Sequence, residues 1–373
     1  MTDDRAAKGL WVLLVAMGHA AWMWHGAPQL QDWLYQFHVI AFLLLPMMRD
    51  EPRLGSAKLA DRSVRYLVPL LPIAMITMLL APLVQAVPPW PQRLGHLAMG
   101  LLTGNPAWWK TVSGFEYLWF LPTLWGMTLL RQGLLRLPQG VQGLLGALGL
   151  LSMGSLAAVS MYLPLGLAVV AVIVPLGWLA RWLSEQLQRG HRDLRWLGLP
   201  VAALASAVLL GAKVKIYPGS AAWPSMVLHP DLAICAAVVA VGMFLAVLWA
   251  LPWLQRVPGL ASLGEGSLPF YLLHSLAIQA ALLSANRLLP HWKTAFPVSV
   301  GVASLVFAVA TCAPIARLSL HPRISRWWLP RGVVDWPPTA TTRTSAPRTS
   351  ATPLPPSAST CRCLGVRPRS LSG

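Results

Sequence analysis

The chain has few charged side chains. Only 11% of its 373 residues are Asp, Glu, Lys or Arg, whereas soluble domains carry roughly 25%. No interior segment alternates apolar and polar residues as a half-buried strand would. Backbone that crosses a bilayer must satisfy its own hydrogen bonds, as a helix does. The composition therefore excludes an ordinary soluble domain and predicts an α-helical membrane protein.

Acidic residues and cysteines are also scarce. Asp and Glu number 12 against 29 Lys and Arg, which gives a net charge of +17. In a soluble protein this charge would indicate nucleic acid, but here the basic residues lie mainly in short loops, as membrane topology requires. The four cysteines predict no disulfide framework, and the two cysteines of the run Cys361-Arg362-Cys363 are too few ligands to indicate a metal site. We therefore predict neither a nucleic-acid partner nor a metal site.

Long apolar stretches are what the sequence has instead. Each is long enough, at about 20 residues, to cross a hydrocarbon core of roughly 30 Å. They predict an all-α fold, a polytopic transmembrane helical bundle of about ten helices that occupies residues 1–334. The predicted spans are 9–25, 35–48, 65–88, 115–131, 141–158, 161–181, 196–213, 231–254, 267–286 and 297–318.

Charge distribution orients these spans. Most basic residues outside the tail fall in loops on the side of the N-terminus, so the positive-inside rule places both termini in the cytoplasm. The stretch 91–104 is too short to cross, and it lies in an outer loop that carries Arg93 and His96. Residues 335–373 are rich in Pro, Ser, Thr and Arg and predict a disordered C-terminal tail. The sequence thus predicts a multi-pass membrane protein whose two termini are cytoplasmic.

Several ionisable side chains lie at membrane depth. They are expensive there, about 2.5–3.5 kcal/mol on insertion scales, and by default they mark functional sites. A single buried histidine can equally be a hydrogen-bonding group between helices, so each one leaves both interpretations open. The candidates are His19, His38 and His274 inside apolar segments, with Glu116 and Asp231 near the outer ends of theirs.

Lys8 and His19 form the most informative pair. Eleven residues of α-helix turn about 20° beyond three full turns and rise roughly 16 Å, so the two side chains point in nearly the same direction. A cation at the cytoplasmic mouth suits an anionic ligand such as a phosphate, and a histidine suits proton transfer near neutral pH. The alternative makes Lys8 a positive-inside anchor and His19 a packing group.

Five segments, taken in order from about residue 4 to 320, carry a family resemblance. Each is weak alone, because apolar helices look alike, but their order is fairly specific. Together they resemble the membrane-bound acyltransferase-3 family, and more closely its sugar O-acetylase branch. The segments are "AAKGLWVLLVAMGHA" with Lys8 and His19, "QFHVIAF" with Phe37 and His38, "RYLVP" from Arg65, "YLWFLPTLWG" with Trp119, and "LGEGSLPFYLLHSL" with Tyr271 and His274.

This resemblance implies transfer of an acetyl group from cytoplasmic acyl-CoA to a sugar hydroxyl. Acetyl-CoA is then a donor substrate, and no permanently bound cofactor is expected. The resemblance assigns the phosphates of CoA to Lys8, Arg62 and Arg65. It makes His19 the general base, or less readily a transient acyl carrier, with His38 orienting His19 or the thioester. The expected acceptor-binding residues are Glu116, Trp119, Asp231, Tyr271 and His274.

The chain departs from the family pattern in two places. Arg5 stands where the family often has an acid, with Asp4 one place earlier. The Phe-His pair is followed by Val39 and Ile40 rather than Met-Pro, and the Ser-Gly pair that follows in the family is missing. The second departure puts the packing of that helix, and the shape of the substrate site, in question.

The acceptor itself is not encoded in any motif. A lipid-linked oligosaccharide or a nascent exopolysaccharide of the xanthan type suits a protein that must meet its substrate at the membrane, and O-antigen is the next candidate. Membrane lipids and a polysaccharide assembly complex are the other expected partners. Two alternatives remain: a transporter or flippase, in which intramembrane histidines relay protons, and a non-catalytic paralogue that supports polysaccharide export.

Overall fold

A computed structural model describes residues 4–48, 54–83, 86–113, 117–151, 162–189, 193–212, 230–321 and 324. Within these ranges the chain forms helices joined by short turns, and no strand is present. The helices are α1 Arg5–His19, α2 Pro28–Leu44, α3 Ser56–Leu80, α4 Trp90–Thr103, α5 Pro106–Ser113, α6 Phe120–Leu134, α7 Gln139–Leu151, α8 Leu167–Gln188, α9 Asp193–Ala212, α10 Pro230–Leu254, α11 Leu260–Glu265, α12 Ser267–Leu288, α13 Pro290–Ala295 and α14 Pro297–Ser319.

Five helical stretches of the described chain are long and apolar enough to cross a membrane. They confirm the predicted all-α membrane bundle and correspond to the predicted spans 65–88, 161–181, 231–254, 267–286 and 297–318. Another predicted span, 196–213, matches the shorter apolar helix Gly198–Ala212. The full number of crossings stays a prediction. The five stretches are Ser56–Leu83, Pro164–Leu187, Ile234–Leu254, Ser267–Leu288 and Pro297–Ser319.

The first predicted span differs from the observed helix. The sequence predicts one helix over residues 9–25, but α1 ends at His19 and a 3₁₀ turn, Ala21–Trp24, follows it. The helix also begins earlier than predicted, at Arg5, so it includes Lys8. The earlier end of α1 places His19 at a helix terminus rather than in a helix interior.

Helix α1 is a central element of the bundle and packs against α2, α11 and α12. Its buried face includes Trp11, Val12 and Ala16, all of which are inaccessible to solvent. Glycines allow the closest of these contacts. A Cβ on Gly9 would overlap the carbonyl oxygen of Leu260, so this approach of α1 to α11 requires a residue without a side chain.

The predicted outer stretch 91–104 forms α4, which is too short to span, and turns back through α5. Gly104 ends α4 with a left-handed φ of 63°, a conformation that glycine adopts without strain. Asn105 Oδ1 then accepts a hydrogen bond from the Ala107 amide at 2.9 Å, next to Pro106 at the start of α5. These features produce a tight helical hairpin, called the α4–α5 hairpin below.

The predicted tail, residues 335–373, lies outside the described residues, and its disorder stays a prediction. All described residues belong to one unit of the chain, Met1–Val334.

Candidate active site

Lys8 and His19 belong to the same uninterrupted helix. Because α1 runs from Arg5 to His19 without a break, the expected rise of roughly 16 Å between them applies. The Lys8 ammonium lies 3.2 Å from the carboxylate of Asp4, one turn earlier, and both side chains are half-buried. Helix α1 therefore carries a cation near its first turn and an imidazole at its last residue.

Side chains fix the end of α1 at His19. The last carbonyls of a helix have no partner within it, and they need other donors. Trp24 Nε1 donates to the carbonyl of Met17 at 2.9 Å. The carbonyl of Gly18 accepts from Gln31 Nε2 at 2.7 Å and from the hydroxyl of Tyr35 at 3.2 Å. These donors from the turn and from α2 explain why the apolar run stops being α-helical here.

Aromatic rings from three other segments surround the His19 imidazole. Its ring centroid lies 5.9 Å from Tyr35 on α2, 5.9 Å from Tyr117 in the 3₁₀ turn before α6, and 5.2 Å from His274 on α12. The Tyr35 hydroxyl is 3.4 Å from His19 Nδ1. Together with Tyr271, which contacts both Tyr117 and His274, these residues are called the His19 cluster.

Hydrogen bonds hold Tyr117, Tyr271 and His274 in place. The Tyr271 hydroxyl donates to the Tyr117 carbonyl, and the Tyr117 hydroxyl donates to the Leu272 carbonyl at 2.9 Å. His274 Nδ1 is 2.6 Å from the Tyr271 carbonyl, so this nitrogen carries the proton. Its Nε2 then accepts from Ser275 Oγ at 3.2 Å. The predicted common face of Tyr271 and His274 is confirmed, with ring centroids 5.6 Å apart.

His38 lies beside the cluster and is completely buried. Its Nδ1 donates to the Leu34 carbonyl, one turn earlier on α2, which leaves Nε2 as the acceptor nitrogen. Within the described chain Nε2 has no hydrogen-bond partner, and it faces Gly18, where an added Cβ would lie 3.4 Å away. The His38 ring also contacts Tyr35, at 5.0 Å between centroids.

The predicted CoA-binding cations are only partly described. Lys8 is on α1, and Arg62 is half-buried on α3. The side chain of Arg65 lies outside the described residues. Arg5, the departure from the family pattern, forms an ion pair with Glu265 at the end of α11. Asp4 takes the place of the acid that is missing at position 5, because its carboxylate forms an ion pair with Lys8 one turn later.

The predicted acceptor-binding residues do not all gather at one place. Tyr271 and His274 are part of the His19 cluster. Trp119 is buried next to it in the 3₁₀ turn, with its ring against Phe120. Asp231 is exposed in the first turn of α10, and Glu116 lies outside the described residues.

Two members of the cluster were missed by the sequence interpretation. Tyr35 precedes His38 by three residues, and Tyr117 opens the "YLWFLP" segment. Both look like ordinary packing aromatics in apolar surroundings. The spacing of Tyr35 and His38, which puts both on one face of α2, was the available signal.

The cluster is suited to acid–base chemistry. Its imidazoles and phenols are half-buried at His19 and Tyr35 and buried at Tyr117, Tyr271 and His274, and polar interactions are stronger in such surroundings than in water. Among the described residues no group of three or more His, Cys, Asp and Glu side chains could hold a metal ion.

A family model described as an acyltransferase domain matches residues 5–317. The chain belongs to the acyltransferase-3 family. The match covers α1 to nearly the end of α14, and it confirms the family to which the five segments pointed. No curated protein and no solved structure matches the chain.

Family membership supports a membrane acyltransferase and agrees with the apolar helices of the bundle. The matched region contains the pair Lys8 and His19 as well as the rest of the His19 cluster. The roles of the individual site residues stay predictions that rest on the geometry described above.

Proposed function

We propose that this acyltransferase moves an acetyl group from cytoplasmic acetyl-CoA to a hydroxyl of a cell-surface or lipid-linked sugar, in the bacterial inner membrane. The sugar O-acetylase resemblance supports a saccharide acceptor, with exopolysaccharide or O-antigen as the substrate class. The observation that carries the proposal is the position of His19, at the end of the helix that begins beside Lys8 and inside a cluster of four other polar aromatic rings.

His19 is the general base of the proposed reaction. In this scheme Nδ1 carries the ring proton and donates it to the Tyr35 hydroxyl, 3.4 Å away, so that Nε2 accepts the proton of the sugar hydroxyl. The sugar oxygen attacks the thioester carbonyl and forms a C–O bond, and the resulting tetrahedral intermediate expels the CoA thiolate as the C–S bond breaks. The imidazolium of His19 returns its proton to the thiolate. The products are the sugar ester and CoA.

Lys8 holds the donor in this scheme. Its ammonium is a point charge that suits the CoA phosphates, and Arg62 and Arg65 are further cations for the same group. The pantetheine arm would extend along the rise of roughly 16 Å between Lys8 and His19. His38 and His274, whose Nδ1 protons are directed to backbone carbonyls, fix the polar boundary of the acceptor site.

Acetylation of the host polysaccharide tests this function. Cells without their own copy of the protein would express wild type, His19→Ala, Lys8→Ala or His25→Ala, with membrane levels compared by blotting. His25 is the control because its side chain is exposed and stacks on Trp22. Proton NMR of the purified polysaccharide should show acetyl signals for wild type and His25→Ala, weaker signals for Lys8→Ala and none for His19→Ala. Normal acetylation by His19→Ala would overturn the proposal and favour the transporter or export role.

A further inference from the structure

The α4–α5 hairpin contains a buried arginine. Arg93 is only 3% exposed. Its Nη2 donates a long hydrogen bond of 3.4 Å to the Val112 carbonyl, and its guanidinium carbon lies 4.7 Å from the centroid of the Trp90 ring. Among the described residues its Nε has no hydrogen-bond partner. Within the described chain no carboxylate forms an ion pair with Arg93.

This environment leaves the positive charge of Arg93 largely uncompensated. Removing an ion from water costs several kcal/mol, and only a close counter-charge with further hydrogen bonds offsets that cost. The contact with Trp90 contributes about 0.5–2 kcal/mol, and one long hydrogen bond contributes less than a short one. An anion at the guanidinium would supply the missing counter-charge.

His96 is next to Arg93 on the same face of α4. Residues three apart on a helix are neighbours, so the two side chains face the same region. His96 Nδ1 is buried and has no hydrogen-bond partner in the part of the chain that the structure describes, and the imidazole lies 5.0 Å from the Trp108 ring of α5. Gly100, one further turn along this face, allows the Trp109 ring to approach within 3.0 Å of the position of a Cβ. The hairpin thus closes tightly, while Arg93 Nε and His96 Nδ1 are buried without a hydrogen-bond partner among the described residues.

We propose that Arg93 and His96 bind an oxyanion, a phosphate or carboxylate group, at the α4–α5 hairpin. Guanidinium Nε and Nη donors match the two oxygens of such a group, and His96 Nδ1–H is a third donor. The hairpin packs against the Tyr117–Trp119 turn, and Tyr117 contacts His19. The oxyanion therefore belongs either to an acidic acceptor or to a phospholipid headgroup. Only the first source rests on the proposed function.

Ligand-dependent stability tests the site. The full chain would be purified in a non-ionic detergent without phosphate, and its thermal unfolding would be followed at constant ionic strength with inorganic phosphate, glucuronate or glucose. A ligand that binds only the folded state raises the unfolding midpoint. Phosphate and glucuronate should raise the midpoint of wild type, and glucose should not. Arg287→Gln, which removes an exposed arginine of α12, should respond like wild type, and Arg93→Gln should not respond.

A lipid arm identifies the source of the oxyanion. If a headgroup is the ligand, added phosphatidylglycerol should raise the midpoint of wild type more than that of Arg93→Gln, and it should abolish the response to glucuronate. If the acceptor is the ligand, the response to glucuronate should persist in the presence of the lipid. These readouts need no donor and no turnover, so they stand even if the proposed acetyl transfer is wrong.

Two further results decide whether Arg93 is instead a structural residue. Without anion, Arg93→Gln should unfold at the same temperature as wild type or higher, because the substitution removes an uncompensated charge. If Arg93→Gln does not fold, Arg93 is structural and the proposal fails. His96→Leu, a second variant, should reduce the response to phosphate. Equal anion responses in wild type and Arg93→Gln, or no response in wild type, would also overturn the proposal.

Discussion

Tyr271 and Tyr117 each donate a hydrogen bond to backbone in the segment that carries the other. The phenol of Tyr271 donates to the backbone carbonyl of Tyr117, and the phenol of Tyr117 donates to the carbonyl of Leu272, directly after Tyr271. The two residues are far apart in the sequence, so this pair connects α12 to the turn before α6. Because both rings also contact His274, the connection positions one side of the His19 cluster.

The Tyr271→Phe substitution should therefore weaken both stability and activity. It keeps the buried ring but removes one hydrogen bond, which typically contributes about 1 kcal/mol. We expect a lower thermal unfolding midpoint and a reduced rate of acetyl transfer at equal protein level. Tyr162→Phe is the matched control, because Tyr162 is 72% exposed. Equal midpoints for Tyr271→Phe and wild type would show that the Tyr271 hydrogen bond does not hold these elements together.

Tyr35→Phe should affect the rate of the reaction more than substrate affinity. The Tyr35 hydroxyl lies 3.4 Å from His19 Nδ1 and also donates to the Gly18 carbonyl, so it is positioned to orient the imidazole of the proposed base. We expect kcat to fall about tenfold with little change in KM, the pattern of an interaction that acts in the transition state. Steady-state kinetics with acetyl-CoA measures both values. A rise in KM alone would instead make Tyr35 a substrate-binding residue.

Lys8→Gln should raise KM for acetyl-CoA. The substitution removes the ammonium proposed to bind the CoA phosphates but keeps a polar side chain of similar length. We expect an increase of about tenfold at low salt and a smaller one at high salt, because ions screen partly exposed charges. Lys58→Gln is the control, since Lys58 is an exposed lysine near the start of α3. If the two variants have the same KM, Lys8 is a topological anchor.

Gly9→Ala should destabilise the bundle. An added Cβ would overlap the Leu260 carbonyl, so α1 and α11 would have to separate, and overpacking of this kind costs about 1–3 kcal/mol. Gly211→Ala is the matched control, because no atom of the described residues lies within 4 Å of a Cβ at that position on α9. We expect the Gly211 variant to be at least as stable as wild type, as helix propensity predicts. Comparable stability of Gly9→Ala and wild type would mean that α1 and α11 separate at no energetic cost.

Hydropathy alone predicted the class of fold. Apolar length predicted the long helices such as α12 and α14, because a membrane span is a composition signal that needs no tertiary contact. Apolar length did not predict the end of α1, because the residues from Ala20 to Trp24 are as apolar as those before them. There the termination depends on donors from Gln31 and Tyr35, and such contacts are set by packing between helices.

The candidate site was predictable in its histidines but not in its phenols. His19, His38 and His274 stand out because an ionisable side chain is unexpected in an apolar helix. Tyr35 and Tyr117 carry no such signal, since an aromatic ring in a membrane helix is ordinary. Arg93 carries no such signal either. The sequence places it in a short outer segment, where a charged side chain is ordinary, whereas the folded hairpin buries it.

The end of α1 at His19 has an electrostatic consequence. The aligned peptide dipoles of a helix place a partial negative charge at its C-terminus, and a cation there is stabilised by about 0.3–1 kcal/mol, and by up to about 2 kcal/mol when partly buried. His19 is the last residue of α1, so the positive charge that the proposed proton abstraction would place on its ring lies beside that negative pole. A span that continued to residue 25 would have left the ring mid-helix, without this stabilisation. The dipole at the end of α1 therefore favours the positive charge that the proposed reaction places on the His19 ring.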